Sequence, residues 1–154
     1  MAAYNEIDGV FCHANRELLT GILREELGFT GLVMADGVAV DRLTEFTGSP
    51  AASAALALNA GVQMSLWDRA FSTLEEAVEQ GLASEEAVDR AVLAVLELKF
   101  RRGLFERPFL EEEPPKLYAY SQHPESLQLA RESVVLLKNQ GVLPLKGAPS
   151  IAVL

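Results

Sequence analysis

GLVMADGVAV, residues 31–40, runs a short apolar segment into a lone carboxylate. The apolar residues Leu32 to Met34 follow a glycine, and such a short run is typical of a buried strand in a parallel sheet. Asp36 comes next, with Gly37 directly after it. Ligands of α/β folds bind at the carboxyl ends of the strands, so Asp36 is predicted to lie where chemistry can occur. Alternatively, Asp36 only caps or braces the following turn.

Two more predicted strand ends flank this one at equal spacing. Residues 1–4 are typical of the end of a strand, and residues 62–66 form another apolar strand that ends near Trp67 and Asp68. The sequence distance from Tyr4 to Asp36 equals that from Asp36 to Asp68. The side chains at these three strand ends are therefore expected to share one rim of the sheet.

Helices are predicted between and after these strands, because each has a capping residue at its start and a glycine at its end. The start and stop signals are Asn15 and Gly28, Ser49-Pro50 and Gly61, Ser72 with Glu75 and Gly81, and Ser84 and Gly103. In the last of these helices Val88, Val92, Val95, Leu96 and Phe100 are expected to face inward. A polar loop is expected after Asp36, through Thr44 and Thr47 to Gly48.

Alternating strands and helices predict right-handed βαβ units and a parallel sheet. The even spacing favours the C-terminal part of a (β/α)8 barrel, residues 1–104, over a doubly wound sheet. Residues 105–123 have no period and predict a linker, in which the acids Glu111 to Glu113 are solvated. Residues 124–154 predict the first elements of an α/β sandwich domain, with a helix from 124 to 139 and a strand beginning at 151. Both ends suggest a segment of a larger protein.

The charge balance bears on partners. The 154 residues carry 13 Lys plus Arg against 22 Asp plus Glu, a net charge of -9. Nucleic acids and anionic membranes select basic surfaces, so neither is expected as a partner. With no apolar run long enough to span a bilayer and no signal-peptide pattern, the expectation is a soluble, cytoplasmic chain.

The titratable sulfur and imidazole groups are few. Cys12 is the one cysteine, beside His13, and the second histidine, His123, lies far along the chain. Adjacent side chains rarely face each other, so a packed Cys12 is favoured over a Cys/His nucleophile. No metal-ligand cluster is expected.

Five stretches together resemble glycoside hydrolase family 3, the β-glucosidase and β-xylosidase family. They are YNEIDGVFCHAN at 4–15, LLTGILREELGFTGLVMADGVAV at 18–40, AGVQMSLW at 60–67, VDRAVLAVLELKFRRGLFERPF at 88–109 and LARESVVLLKNQGVLPL at 129–145. The matches run in the family's order over nearly the whole chain.

The resemblance implies that Asp36 is the nucleophile of a retaining glycosidase, which forms a covalent glycosyl-enzyme. It implies a site role for Tyr4, whose hydroxyl could bond the carboxylate or line the sugar site, or else only packs. Trp67 could form an aromatic wall for a sugar or plug the barrel mouth. Asp68, Glu6 and Asp8 are expected to be loop or capping acids. No general acid/base is assigned in this chain, and no cofactor or metal is implied.

Three departures concern sugar specificity. Ala35-Asp36-Gly37 stands where the family often has Ser-Asp-Trp, Phe11 replaces a usual proline and Leu27 a frequent tryptophan. Losing an aromatic residue after the nucleophile changes the shape of the subsite. The N-acetylglucosaminidase branch is disfavoured, because it usually has Ser-Asp-Asp here and lacks the second-domain opening.

These observations leave two hypotheses from different classes. The first is a segment of a β-glycosidase that hydrolyses terminal β-linked glucose or xylose and has little or no turnover alone. The second is a non-catalytic fold fragment that self-associates, or complements another chain, through unfinished barrel edges. A phosphate-handling barrel is disfavoured, since neither a glycine-rich cradle nor a basic residue is present at Gly37 or Trp67.

Overall fold

The computed structural model describes residues 1–109 and 123–152, and the chain divides into two compact units, Met1–Phe109 and Leu110–Leu154. The first unit alternates short strands and helices in the α/β manner. Its strands are β1 Glu6–Ile7, β2 Val10–Phe11, β3 Met34–Gly37 and β4 Met64–Leu66. Its α-helices are α1 Ala39–Arg42, α2 Thr44–Thr47, α3 Pro50–Ala60, α4 Leu74–Glu79 and α5 Glu85–Arg101. A π-helix spans Glu17–Glu26, and 3-10 helices span Cys12–Ala14 and Ala70–Thr73.

Parallel pairing joins the three predicted strand positions. Ala2 forms a parallel bridge to Ala35, and β3 pairs with β4 in parallel from Met34 opposite Met64 to Gly37 opposite Leu66. Spatial order thus follows chain order. β3 begins at Met34, two residues later than the predicted start at Leu32, so Asp36 lies within the strand and Gly37 is its last residue.

A tight turn at Asp8-Gly9 closes a hairpin that the sequence had not indicated. β1 and β2 pair antiparallel on either side of it. Asp8 and Gly9 have φ of 51° and 78°, as a tight turn of the right twist between antiparallel strands requires.

Three predicted helix starts are confirmed by their hydrogen bonds. Leu18 N–H donates to Oδ1 of Asn15 (3.0 Å), Ala52 N–H to Oγ of Ser49 (3.1 Å) and Ala87 N–H to Oγ of Ser84 (3.2 Å). Each bond satisfies one of the N–H groups that a helix start leaves without a partner.

Two local predictions in the first unit are wrong. The segment 38–48 is not a plain polar loop, because it contains α1 and α2. Ser72 does not start a capping box: its hydroxyl donates to the Arg69 carbonyl (2.6 Å) within a 3-10 turn, and α4 begins at Leu74.

Alanine-rich α3 lies between the two parts of the hydrophobic core. Its Ala54, Ala57 and Ala60 belong to the cluster that includes the residues around β3. Its Ala51, Ala55 and Leu58 belong to a second cluster with Ala77 and Ala91. Small side chains on both faces let neighbouring backbones approach α3 closely.

The predicted inward face of α5 is largely open. Val88 packs against the second cluster, but Val92, Leu96 and Phe100 are exposed. In the second unit, α6 spans Pro124–Glu132, shorter than the predicted helix to 139. Residues 151 and 152 carry no strand. Most of the predicted linker, with Glu111 to Glu113, lies outside the described residues. No helix among the described residues has the length and apolarity needed to cross a membrane.

Candidate active site

Asp36 is the last but one residue of β3, and the sheet holds its backbone. Its N–H donates to the Ala2 carbonyl (3.1 Å), and the side chain is half-buried. One carboxylate oxygen, Oδ1, accepts from the Gly37 N–H at 2.7 Å. Within the described residues Oδ2 has no hydrogen bond, so this oxygen is free to meet a ligand.

Tyr4 lies beside the nucleophile candidate but does not bond its carboxylate. The Tyr4 hydroxyl donates to the Gly37 carbonyl, and the Arg42 guanidinium lies 4.5 Å from the centroid of the Tyr4 ring. A cation over a ring face is attracted by the π electrons. Tyr4 is therefore fixed from both sides, with its hydroxyl on the backbone next to Asp36.

Trp67 reaches the same place from β4. Its side chain is 86% exposed. A Cβ on Gly37 would lie 3.8 Å from the Tyr4 hydroxyl and 4.0 Å from Cε3 of Trp67. Two aromatic side chains thus flank the backbone that follows Asp36.

Asp41, after β3, and Asp68, after β4, each accept hydrogen bonds from backbone N–H groups of the other's segment. Oδ1 of Asp68 accepts from the N–H groups of Val40 (2.8 Å) and Asp41 (3.1 Å), and Oδ2 from that of Leu66 (3.2 Å). Asp41 accepts from Arg69 and Ala70 N–H groups at 2.7 to 3.1 Å. The capping interpretation of Asp68 was therefore right, although the helix start it caps is 28 residues earlier. Asp41 was missed, since no local pattern marks a partner so far along the chain.

The backbone after Asp36 is strained. Val38 has φ +60° and Trp67 φ +61°, and a β-branched or bulky residue with positive φ is an outlier that only its surroundings can maintain. The Val38 N–H donates to the Leu66 carbonyl (2.9 Å), which ties the two segments together.

Cys12 and His13 do not form a nucleophilic pair in the described structure. Both are buried, and His13 Nδ1 lies 3.2 Å from the Ala3 carbonyl oxygen. His13 packs its ring 5.5 Å from that of Phe11, and its Nε2 has no partner within the described residues. Cys12 is a packed free cysteine, as predicted. The described residues contain no cluster of metal-ligating side chains.

Comparison with known proteins adds independent information. The profile of the glycosyl hydrolase family 3 N terminal domain matches residues 1–98. The periplasmic beta-glucosidase of Salmonella typhimurium is 35% identical over 164 positions, which cover 99% of this chain and 21% of that protein. The xylan 1,4-beta-xylosidase of Xylanibacter ruminicola is 35% identical over 164 positions, 100% of this chain and 19% of that protein.

Solved structures agree with the sequence matches. The crystal structure of beta-glucosidase from Listeria innocua in complex with glucose superimposes with a TM-score of 0.70 and 31% identity. The superposition covers 93% of this chain and 20% of that one. The chain thus spans about a fifth of the length of the relatives it matches.

Proposed function

The chain belongs to glycosyl hydrolase family 3, and from this premise we propose that it supplies the nucleophile, Asp36, of a retaining β-glycosidase. The observation that carries the proposal is the geometry of Asp36 at the end of β3, where one carboxylate oxygen is anchored by Gly37 N–H and the other has no bond within the described residues. An anchored carboxylate with one free oxygen is suited to in-line attack on a sugar.

The proposed reaction is a double displacement. An oxygen of Asp36 bonds to the anomeric carbon while the bond from that carbon to the leaving oxygen breaks. The leaving oxygen takes a proton from a general acid, which we do not assign to this chain. A water oxygen then displaces Asp36 from the anomeric carbon and gives its proton to the same group, now acting as a base, so Asp36 and the acid are regenerated.

We propose terminal β-linked glucose or xylose as the substrate class. Support comes from relatives named beta-glucosidase and xylan 1,4-beta-xylosidase and from the relative solved with glucose. Tyr4 and Trp67 flank the backbone after Asp36, and aromatic faces stack on the apolar faces of sugars. Both are proposed as substrate contacts. We propose the cytoplasm as the compartment; the name of the Salmonella typhimurium relative gives the periplasm for that protein.

For the fold we propose the C-terminal part of a (β/α)8 barrel over residues 1–104, a linker over 105–123 and the start of an α/β sandwich over 124–154. In support, Ala2, β3 and β4 lie side by side, parallel and in chain order, as barrel strands do. A doubly wound sheet reverses its strand order once, at its switch point, and these three strand positions include no such reversal.

The second candidate is a self-associating, non-catalytic fragment. One observation favours it: the apolar side chains Val92, Leu93, Leu96 and Phe100 of α5 are exposed, and apolar patches of this kind often mark contact surfaces.

The nucleophile proposal is tested by Asp36→Ala in the full-length polypeptide that carries this chain. Hydrolysis of an aryl β-glucoside should fall by more than about 10⁴-fold, the scale seen when an enzyme loses its nucleophile. Added azide should restore product formation, because the small anion can enter the vacated space and attack the anomeric carbon to give the α-glycosyl azide.

Asp8→Asn is the matched control. Asp8 lies in an exposed hairpin turn at positive φ, which asparagine tolerates, so this variant should keep full activity. An Asp36→Ala enzyme that retains more than a few per cent of the rate, or gives β-configured products with azide, would exclude Asp36 as the nucleophile.

A further inference from the structure

Asp41 and Asp68 do more than cap helix starts. We propose that they are positioning residues for the reaction at Asp36: their crossed carboxylates hold the backbone that carries the nucleophile in its strained, productive conformation. This inference rests on the proposed role of Asp36, and we call the arrangement of Asp41, Asp68 and the N–H groups they bind the carboxylate clamp.

Asp68 forms the first half of the clamp. Its two oxygens have different tasks, because Oδ1 binds the N–H groups of Val40 and Asp41, whereas Oδ2 binds the Leu66 N–H on its own strand. One side chain therefore joins the end of β4 to the start of α1. Hydrogen bonds to an ionised carboxylate are about twice as strong as neutral ones.

Asp41 forms the second half in the opposite direction. Oδ1 accepts from Arg69 N–H (2.9 Å) and Ala70 N–H (2.7 Å), and Oδ2 accepts again from Arg69 N–H (3.1 Å). The segment after β3 thus reaches back to the segment after β4. The two halves close a ring of hydrogen bonds, so a movement of one segment relative to the other would break bonds of both carboxylates.

Three residues, Gly37, Val38 and Ala39, separate Asp36 from the clamp. Gly37 accepts from the Tyr4 hydroxyl, and Val38 donates to the Leu66 carbonyl. Val38, between Asp36 and the clamp, and Trp67, between Leu66 and Asp68, both have positive φ. Left alone, each would relax toward negative φ, and at Val38 this would rotate the Gly37–Val38 peptide, whose carbonyl accepts from the Tyr4 hydroxyl beside Asp36. The clamp fixes both segments on the far side of these two residues and so opposes that relaxation.

The different geometry of the two carboxylates gives a graded expectation for asparagine variants. Asp68 needs an acceptor at both oxygens, so Asp68→Asn must point its NH₂ group at an N–H donor. Asp41 places both of its partners on Oδ1, so Asp41→Asn can keep those bonds; its NH₂ group then faces the Arg69 N–H, which still has Oδ1 as its acceptor. The defect should therefore be larger at position 68.

The test measures the rate constant for glycosyl-enzyme formation per active site in the full-length polypeptide. An aryl 2-deoxy-2-fluoro-β-glucoside reacts once per competent nucleophile, so the burst of released phenol counts the active sites and its rate gives the rate constant. A purely structural role would reduce the number of sites and leave this rate constant unchanged.

Asp68→Asn should lower the rate constant by about 10- to 100-fold, as expected when a reacting group is misplaced by a fraction of an ångström to 1 Å, and Asp41→Asn by a few-fold. Ser84→Ala is the control, because it removes a comparable cap from α5, and no residue of α5 takes part in the hydrogen bonds of the clamp. It should lower the Tm and leave the rate constant as it is.

A wild-type rate constant per site in Asp68→Asn, or an equal loss in Ser84→Ala, would overturn the clamp proposal. Asp36→Ala in the same assay separates the two proposals. If Asp36→Ala reacts normally with the reagent, the proposed function fails. If Asp36→Ala is inert while the clamp variants react at the wild-type rate, only the positioning role fails.

Discussion

Trp67 is the one tryptophan of the chain, and its exposure at the strand end makes it a direct reporter of the site. In the 154-residue chain, the fluorescence emission of Trp67 should be that of a water-exposed indole and should be quenched readily by acrylamide. Trp67→Ala should change the free energy of unfolding by less than about 0.5 kcal/mol, as for a surface residue. In the full-length polypeptide it should raise KM, whereas Trp67→Phe should keep KM near wild type because an aromatic face remains.

A loss of stability above that limit in Trp67→Ala would show that the ring packs against the protein. An unchanged KM in both variants would remove Trp67 from the proposed sugar site.

At the residue scale, the sequence predicted the place of Asp36 at a strand end, as β3 has it, but not the contacts around it. A lone acid at the end of an apolar run can be found by inspection. The partners of Asp41 and Asp68 cannot, because each carboxylate binds backbone N–H groups 27 to 29 residues away. The positive φ of Val38 was also beyond reach, since β-branched residues disfavour it and only tertiary contacts impose it.

At the element scale, α3 shows how side-chain size fixes the packing. Ala57 has 0% exposure on the core face, whereas its neighbour Leu56 is 41% exposed. Ala57→Leu should therefore cost about 1–3 kcal/mol through overpacking, and Leu56→Ala about 1 kcal/mol or less. Urea unfolding of the two variants checks this order. A Leu56→Ala variant that loses more stability than Ala57→Leu would mean that α3 packs through the face that carries Leu56.

Local signals predicted the elements where the physics is local. Asn15, Ser49 and Ser84 begin their helices as expected, because a cap binds an N–H group only three residues on. The helix starts were predicted wrongly where their N–H groups bind carboxylates from distant parts of the chain. Ser72 lies in a 3-10 turn whose first N–H group donates to Asp41. The first N–H groups of α1 donate to the Asp68 carboxylate, because the residue that precedes α1 provides no side-chain cap.

At the scale of the whole molecule, the exposed apolar face of α5 makes association the expected behaviour of the 154-residue chain. Sedimentation velocity should show a mass that rises with concentration, and replacing Leu93 with glutamate should lower it. Glu79→Gln, at an exposed acid on α4, is the control and should not. A monomer at all concentrations would exclude the self-association hypothesis.

The chain alone should hydrolyse no aryl β-glucoside at a measurable rate, since one carboxylate cannot complete the double displacement.

Family membership and the α/β class were predicted from sequence and are confirmed, because the family profile matches residues 1–98 and the relatives match over more than nine tenths of the chain. Parallel pairing followed from the alternation of strands and helices. The exposure of the apolar face of α5 was not predicted, because an apolar helix face predicts burial but does not say which surface covers it. The barrel and domain boundaries stay predictions.

The central claim, that Asp36 is the nucleophile, is tested most directly by trapping the glycosyl-enzyme. The full-length polypeptide would be treated with an aryl 2-deoxy-2-fluoro-β-glucoside, digested with a protease and sequenced by mass spectrometry. The account predicts one fluoroglucosyl group per chain, as an ester on Asp36 in the peptide containing GLVMADGVAV. An adduct on any other carboxylate, or full turnover of the reagent without an adduct on Asp36, would contradict it.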